Sequence, residues 1–316
     1  MRPLSARFQP YEWAISTAEA ARIAGIRPDE VLRFDANTAP GPPAAARPAA
    51  VANALERVHG YPHGGYPELV AAIAAYAGVE PENVVLGAGA DDLILLTART
   101  FAGPGDRVAI VDEPTYPLYR VAAWLAGAEV GEEEPAVTFC CRPHNPTGAL
   151  VELPEARPLV VDEAYFEYCG ETAALLEGVV VIRTLSKAFA LAGARVGYAL
   201  ADAATASELN ARQAPAPLST LSAALALAVL AEPPDVRPAV EERERLAARL
   251  RELGLEPLPS ATNFLYVPCE RGRELGTLLL GAGMVVRDYP DAVRITVLDA
   301  ASNERLVAAL GALLAH

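Results

Sequence analysis

Between Asn83 and about Leu200 the chain contains six short runs rich in β-branched residues: NVVLG, RVAIVD, AVTFCC, PLVVDE, GVVVIRTL and RVGYALA. Apolar runs without polar alternation suit strands buried on both faces, and such a sheet needs helices above and below it. Two intervening segments, DDLILLTARTFAG and PLYRVAAWLAGA, have apolar residues at helical spacing and end near glycine. The alternation predicts an α/β body around a mostly parallel sheet.

After Ala201 the pattern changes. TLSAALALAVLAEPP and VEERERLAARLRELG read as helices, the second with the mixed charges of a solvated face. TNFLYVPC, GMVVRDY and AVRITVL read as strands, and SNERLVAALGALL as a last helix. The expected organisation is a large domain over residues 36–232, a smaller α+β domain over 233–316, and the less periodic residues 1–35 as an arm packed on the smaller one. PGPPAAARPAA, Pro40 to Ala50, reads as a loop running into a helix. A chain of 316 residues, 52% of them hydrophobic, suits two cores, because a single core stops growing near ~250 to 300 residues.

Charge narrows the function classes. A net charge of -14 repels phosphate backbones and anionic lipid heads, so neither nucleic acid nor a membrane surface is an expected partner. No apolar run approaches the ~18 residues a membrane span needs, and MRPLSARFQP lacks a hydrophobic signal segment. A cytoplasmic protein is expected. Cys140, Cys141, Cys169 and Cys269 lack metal-ligand spacing and read as reduced, mostly buried thiols, with no metal site.

The stretch RTLSKAFALAGARVGY, Arg183 to Tyr198, sets a lysine between apolar runs and an arginine eight residues later. A lysine in an ordinary solvated loop is the plain alternative, because burying a lone ammonium is costly. Its neighbours suggest more. Thr184 and Ser186 offer hydroxyls beside Lys187, and Arg195 offers a planar cationic fork, together a phosphate grip next to an amine. That combination suits a Schiff-base cofactor such as pyridoxal phosphate.

Other parts of such a site have candidates. Asp162, at a strand end in LVVDEAY, could pair a protonated pyridine nitrogen, and Tyr165 could donate to the cofactor's phenolic oxygen; a helix cap and a boundary tyrosine are the alternatives. In LGAGADDLILL, the amides of Gly89, Ala90 and Asp91 open a helix and could cradle a phosphate. The same text imitates a dinucleotide fingerprint with Asp112 as its acidic residue, but Asp92 stands where the third glycine belongs. Tyr116 in DEPTYPLY could stack on a flat ring, or simply sit at a surface. Asn145 in HNPTGAL precedes a Pro-Thr-Gly turn, where its amide could reach a ring oxygen.

These elements, in this order, resemble the fold type I pyridoxal-phosphate aminotransferases, and the text is closest to the histidinol-phosphate aminotransferase family. The matching pieces are GYP, GAGADDLI, PTYPLY, HNPTG, VDEAYFEY, RTLSKAFALAGARVGY, APLST, ATNFLYV, VVRDY and VRITV, from about Asp35 onward. The resemblance implies a seven-stranded, mostly parallel sheet between helices in the large domain. It implies Lys187 as the Schiff-base lysine and acid/base, Asp162 on the pyridinium, Asn145 and Tyr165 on the ring oxygen, and Tyr116 on the ring face. Thr184, Ser186, Arg195 and the Gly89 to Asp91 amides would take the phosphate. Tyr61, in HGYPHGGYP, would reach the site of a partner subunit, so a homodimer is implied. Arg294 and Arg287 would grip the anionic end of the substrate, with Asn37 and Asn263 beside it. The implied reaction moves the amino group of histidinol phosphate to a 2-oxo acid such as 2-oxoglutarate, in histidine biosynthesis.

The match departs from the family in two places. Only GEEEPAVT and ALVELPEARPL stand where the connections flanking HNPTG usually hold more structure and a helix, and Ala216 replaces a frequent aromatic residue. GIRPDEVLRFDANTAPGPP also looks like the opening of threonine-phosphate decarboxylases. An aromatic or other amino-acid aminotransferase and a cofactor-binding sensor are further readings. A dehydrogenase would leave Lys187, Asp162 and Arg195 without a task.

Overall fold

Each β-branched run forms a strand. A computed structural model describes residues 7–12, 14–43, 48–62 and 64–314. In chain order come helix α1 (Thr17–Ala24), strand β1 (Leu32–Phe34), helices α2 (Pro48–Glu56) and α3 (Pro67–Ala77), then β2 (Val84–Gly87), α4 (Ala90–Phe101), β3 (Arg107–Ile110) and α5 (Leu118–Ala126). Next are β4 (Glu129–Val130), β5 (Val137–Cys141), β6 (Leu159–Asp162), the one-turn α6 (Phe166–Cys169), β7 (Val179–Thr184) and β8 (Gly197–Leu200). Helices α7 (Ala203–Arg212), α8 (Thr220–Ala231) and α9 (Arg237–Glu252) lead to β9 (Phe264–Pro268), α10 (Gly272–Gly281), β10 (Met284–Tyr289), β11 (Ala292–Thr296) and α11 (Ala300–Leu314).

Seven strands form one sheet in the order β2-β8-β7-β6-β5-β3-β4, all parallel except β8, which runs against both neighbours. Strands β5, β6 and β7 are buried along their whole length, as unbroken apolar runs require. Successive side chains point to opposite faces. Phe139, Val160 and Ile182 therefore join α4, α5 and α7 in one core, while Cys140, Val161 and Val181 join α3 and α8 in the other. Parallel strands need a crossover, usually a helix. The connection from β5 to β6, residues 142–158, contains none. Its Val151 and Leu153 instead pack over the face of Cys140, Leu159 and Val161.

A second sheet has the order β1-β10-β11-β9, with α9, α10 and α11 burying Leu246, Leu250, Leu279, Leu306 and Leu310 against Val267 and Ile295. Residues 17–34 are more regular than their sequence suggests. Ser16 Oγ caps α1 by accepting from the Glu19 amide, Gly25 ends it at φ 68°, and β1 pairs in parallel with β10. Residues 8–11 lie elsewhere, over α5 and the loop before it: Phe8 packs edge-on to Trp124 and Tyr11 edge-on to Tyr116. Among the described residues no helix is long and apolar enough to cross a membrane.

Candidate active site

In open α/β sheets ligands gather at the carboxyl ends of the strands. A cavity of about 660 Å3 lies there, bounded by the ends of β5, β6 and β7, by β10 and β11, and by residues 9–12 and Ala14. Asp162, the last residue of β6, forms the floor and is 4% exposed. Its Oδ2 accepts from Tyr119 Oη at 2.6 Å and its Oδ1 from the Ala164 amide at 3.0 Å. Burial pushes this carboxyl up to about 6, against the two donors and the charge of Lys187, which pull it down.

Lys187 lies in the turn after β7 and reaches into the cavity. Its Nζ donates to the Ala36 carbonyl at 3.1 Å and sits 5.9 Å from the Tyr165 ring centre. Desolvation, then the Arg294 charge, lower its pKa to about 8, although Asp162 and Asp91 oppose the shift. The amine is therefore far nearer to neutrality at physiological pH than a solvated lysine.

An anion corner adjoins it. Gly89 is the N-cap of α4 at φ 84°, in the left-handed region, and a Cβ there would strike the Arg195 guanidinium. Gly197 needs its bareness too, since a Cβ would lie 2.6 Å from Gly89 C. These two glycines let β8 close on the start of α4, which brings Arg195 to the helix's positive end. Arg195 itself takes φ 53°. Its Nη2 meets Asp91 Oδ2 at 2.8 Å, and Tyr116 Oη donates to Asp91 Oδ1 at 2.9 Å. Thr184 Oγ1 and Ser186 Oγ stand 2.9 Å apart on the cavity wall.

The opposite wall comes from the second sheet. Arg287 on β10 and Arg294 on β11 are direct cross-strand partners, and both line the cavity. Arg294, 8% exposed, donates through Nη1 to Asn145 Oδ1 at 2.5 Å and through Nη2 to the Asp35 carbonyl at 2.7 Å; its buried Nε has no partner. Among the described residues the Arg287 side chain makes no hydrogen bond or ion pair. Tyr165 Oη accepts from Asn37 Nδ2 at 3.0 Å, and Thr296 Oγ1 donates to Asn37 Oδ1 at 3.0 Å.

Lys187, Asp162, Tyr165, Asn145, Tyr116, Thr184, Ser186, Arg195, Ala90, Asp91, Arg287, Arg294 and Asn37 thus share one cavity. Three of the sequence-derived residues do not line it. Gly89 acts from behind by making room for Arg195. Asn263 donates to the Asn37 carbonyl at 3.1 Å from outside the wall, and Tyr61 is 98% exposed. Ala216 does not line it either. Sequence reasoning missed Tyr119, Tyr11 and the pair of Asp35 with Arg33, whose guanidinium also reaches the Ile15 carbonyl and ties residue 15 to β1. A second tyrosine three residues after Tyr116 was the available sign of Tyr119.

A family model described as aminotransferase class I and II matches residues 29–134 and 128–310. The chain belongs to the class I and II aminotransferases. Histidinol-phosphate aminotransferase of Thermoanaerobacter pseudethanolicus is 34% identical over 300 residues, spanning 82% of this chain and 85% of that one. The same-named protein of Moorella thermoacetica is 29% identical over 354 residues, spanning 97% and 91%. The crystal structure of histidinol-phosphate aminotransferase from Sinorhizobium meliloti in complex with pyridoxal-5'-phosphate superposes with a TM-score of 0.84 at 26% identity, over 98% of each chain. L-threonine-O-3-phosphate decarboxylase of Porphyromonas gingivalis shares the fold, with a TM-score of 0.79 at 20% identity over 90% of this chain. This aminotransferase uses pyridoxal phosphate. Its residues fit that group: a glycine-cleared corner at a helix N-terminus with Arg195 beside it, a buried carboxylate on the floor, and an amine of lowered pKa between them.

Proposed function

We propose that this aminotransferase takes its amino group from histidinol phosphate and passes it to a 2-oxo acid, 2-oxoglutarate. The observation that carries this is the cross-strand pair Arg287 and Arg294, facing one cavity with Lys187. A phosphate monoester, with three acceptor oxygens and nearly two charges, matches two guanidinium forks better than one carboxylate does. The names of the relatives support the same substrate.

Pyridoxal phosphate, when bound, supplies the electron sink that lets an amine's Cα–H bond break. Asp162 would hold a proton on the pyridine nitrogen, Tyr165 and Asn145 would hold the ring oxygen, and Tyr116 would flank the ring. Thr184, Ser186, Arg195 and the amides of Ala90 and Asp91 would hold the phosphate, while Gly89, whose own N–H donates to the Gly87 carbonyl at 2.8 Å, clears the corner for Arg195. Lys187 Nζ, its pKa lowered to about 8, would take the proton from the substrate's α-carbon and return it later in the cycle. Arg294 and Arg287 keep that carbon beside Lys187 by fixing the far end of the substrate.

Tyr61, like Leu55 and Val58 before it, is a large apolar side chain left exposed near the end of α2, as a residue that completes a partner's site would be. A cytoplasmic homodimer is part of this reading. So is the division into an arm of residues 1–35, a cofactor domain of 36–232 and a smaller domain of 233–316. The test is a half-reaction panel on the cofactor-loaded enzyme. Histidinol phosphate should convert the cofactor to its amine form faster than phenylalanine or alanine does. Equal or faster conversion by phenylalanine would reassign the substrate, and carbon dioxide release from threonine phosphate would move the protein to the decarboxylases.

A further inference from the structure

We propose that Tyr119, which does not line the cavity, is a positioning residue whose hydroxyl fixes the Asp162 carboxylate as the oriented anion beneath the cofactor's pyridine nitrogen. This rests on the reading of Asp162 given above. Tyr119 is the second residue of α5 and is fully buried. Its ring stacks on Phe139, with centroids 5.4 Å apart and planes 20° from parallel. Packing alone explains the ring; a phenylalanine would pack as well, without a buried hydroxyl to satisfy. The hydroxyl has the 2.6 Å bond to Asp162 Oδ2, the length of a bond to an ionised acceptor. With Ala164 N–H on Oδ1, each carboxylate oxygen has one protein donor, and the carboxylate plane is set by α5 and the β6 turn together.

The surroundings show why such a donor matters. Cys141, the register partner of Asp162 on β5, turns its thiol to the Pro143 carbonyl at 3.3 Å, and burial keeps it protonated. From the start of α4, Asp91 opposes ionisation of Asp162, and Lys187 favours it. Burial is the largest influence and raises the acid to about 6 with both donors in place. Losing one donor brings the acid into the neutral range, where it would be partly protonated and less able to keep a proton on a ring nitrogen.

Tyr119→Phe tests this, because it removes the hydroxyl and retains the stacked ring. Carbon-13 NMR of aspartate-labelled apo-enzyme, with Asp162 assigned through Asp162→Asn, should show the Asp162 midpoint rising by about one to two pH units in Y119F. On the loaded enzyme kcat should fall while KM for the amino donor holds. An unchanged Asp162 midpoint overturns the role of Tyr119. If instead Asp162→Asn keeps wild-type cofactor affinity and turnover, the reading of Asp162 itself fails, and the two failures are distinguishable. If Y119F does not fold, 3-fluorotyrosine placed at position 119, a stronger donor, should lower the Asp162 midpoint; a midpoint that stays fixed overturns the proposal equally.

Discussion

Arg287→Met separates recognition of a phosphate from everything else the site does. The Arg287 side chain has no intramolecular partner among the described residues, so its removal orphans no carboxylate, and methionine keeps an apolar stem of similar reach. Stability should therefore change by no more than about 0.5 kcal/mol. A hydrogen bond to a charged group is worth about 1.5–3 kcal/mol, and each 1.4 kcal/mol is tenfold. Loss of one arm of the clamp should thus lower kcat/KM for histidinol phosphate by about tenfold to a hundredfold, with Arg294 retaining the remainder. The assay is kcat/KM for histidinol phosphate against alanine, with 2-oxoglutarate as acceptor, at two ionic strengths. Alanine should be unaffected, and added salt should narrow the gap between wild type and variant. An equal loss for both donors would mean that Arg287 supports the site as a whole, and no loss for either would remove it from recognition.

Three further outcomes are expected. Borohydride should fix pyridoxal phosphate covalently to the wild type and not to Lys187→Ala, as mass spectrometry of the reduced proteins would read directly. In the apo-enzyme the raised pKa of Asp162 means that the native state binds more protons than the unfolded state between pH about 4 and 6. Stability therefore falls as pH rises through that window, by up to about 3 kcal/mol relative to Asp162→Asn, in urea titrations at pH 4 and pH 7. Finally, Glu163 and Arg183 form an ion pair at 2.9 Å with side chains 0% and 2% exposed, so Glu163→Ala should cost about 3–5 kcal/mol of unfolding free energy by stranding a buried guanidinium.

Strands β2, β3, β5, β6, β7 and β8 were legible because both of their faces are buried, which demands β-branched runs whatever the partners are. Strand β4, two residues long, and β1, three residues reading LRF, carry no such signal; each exists through pairing, β4 with the preceding β3 and β1 with the remote β10. Lys187, Asp162 and Arg195 were legible because a lysine, an aspartate and an arginine among apolar runs need a reason. Tyr119 was not, because a tyrosine on the buried face of an amphipathic helix reads as core until its hydroxyl's partner is known. The alliance of Arg294 with Asn145 spans 149 residues, and Asn37 meets Thr296 across 259. No local pattern encodes contacts of that range. The helix-free β5 to β6 connection was visible as a short spacing, but its remedy, Val151 and Leu153 folded onto the sheet, depends on packing.

Before any substrate arrives, Arg294 is already spoken for by the Asn145 amide and the Asp35 carbonyl. Two of its five N–H donors are thereby engaged and its Nε has no partner, so the fork is held in place yet keeps donors for an incoming anion. The rotamer freedom of a long side chain, which binding would otherwise have to freeze out, is lost during folding instead.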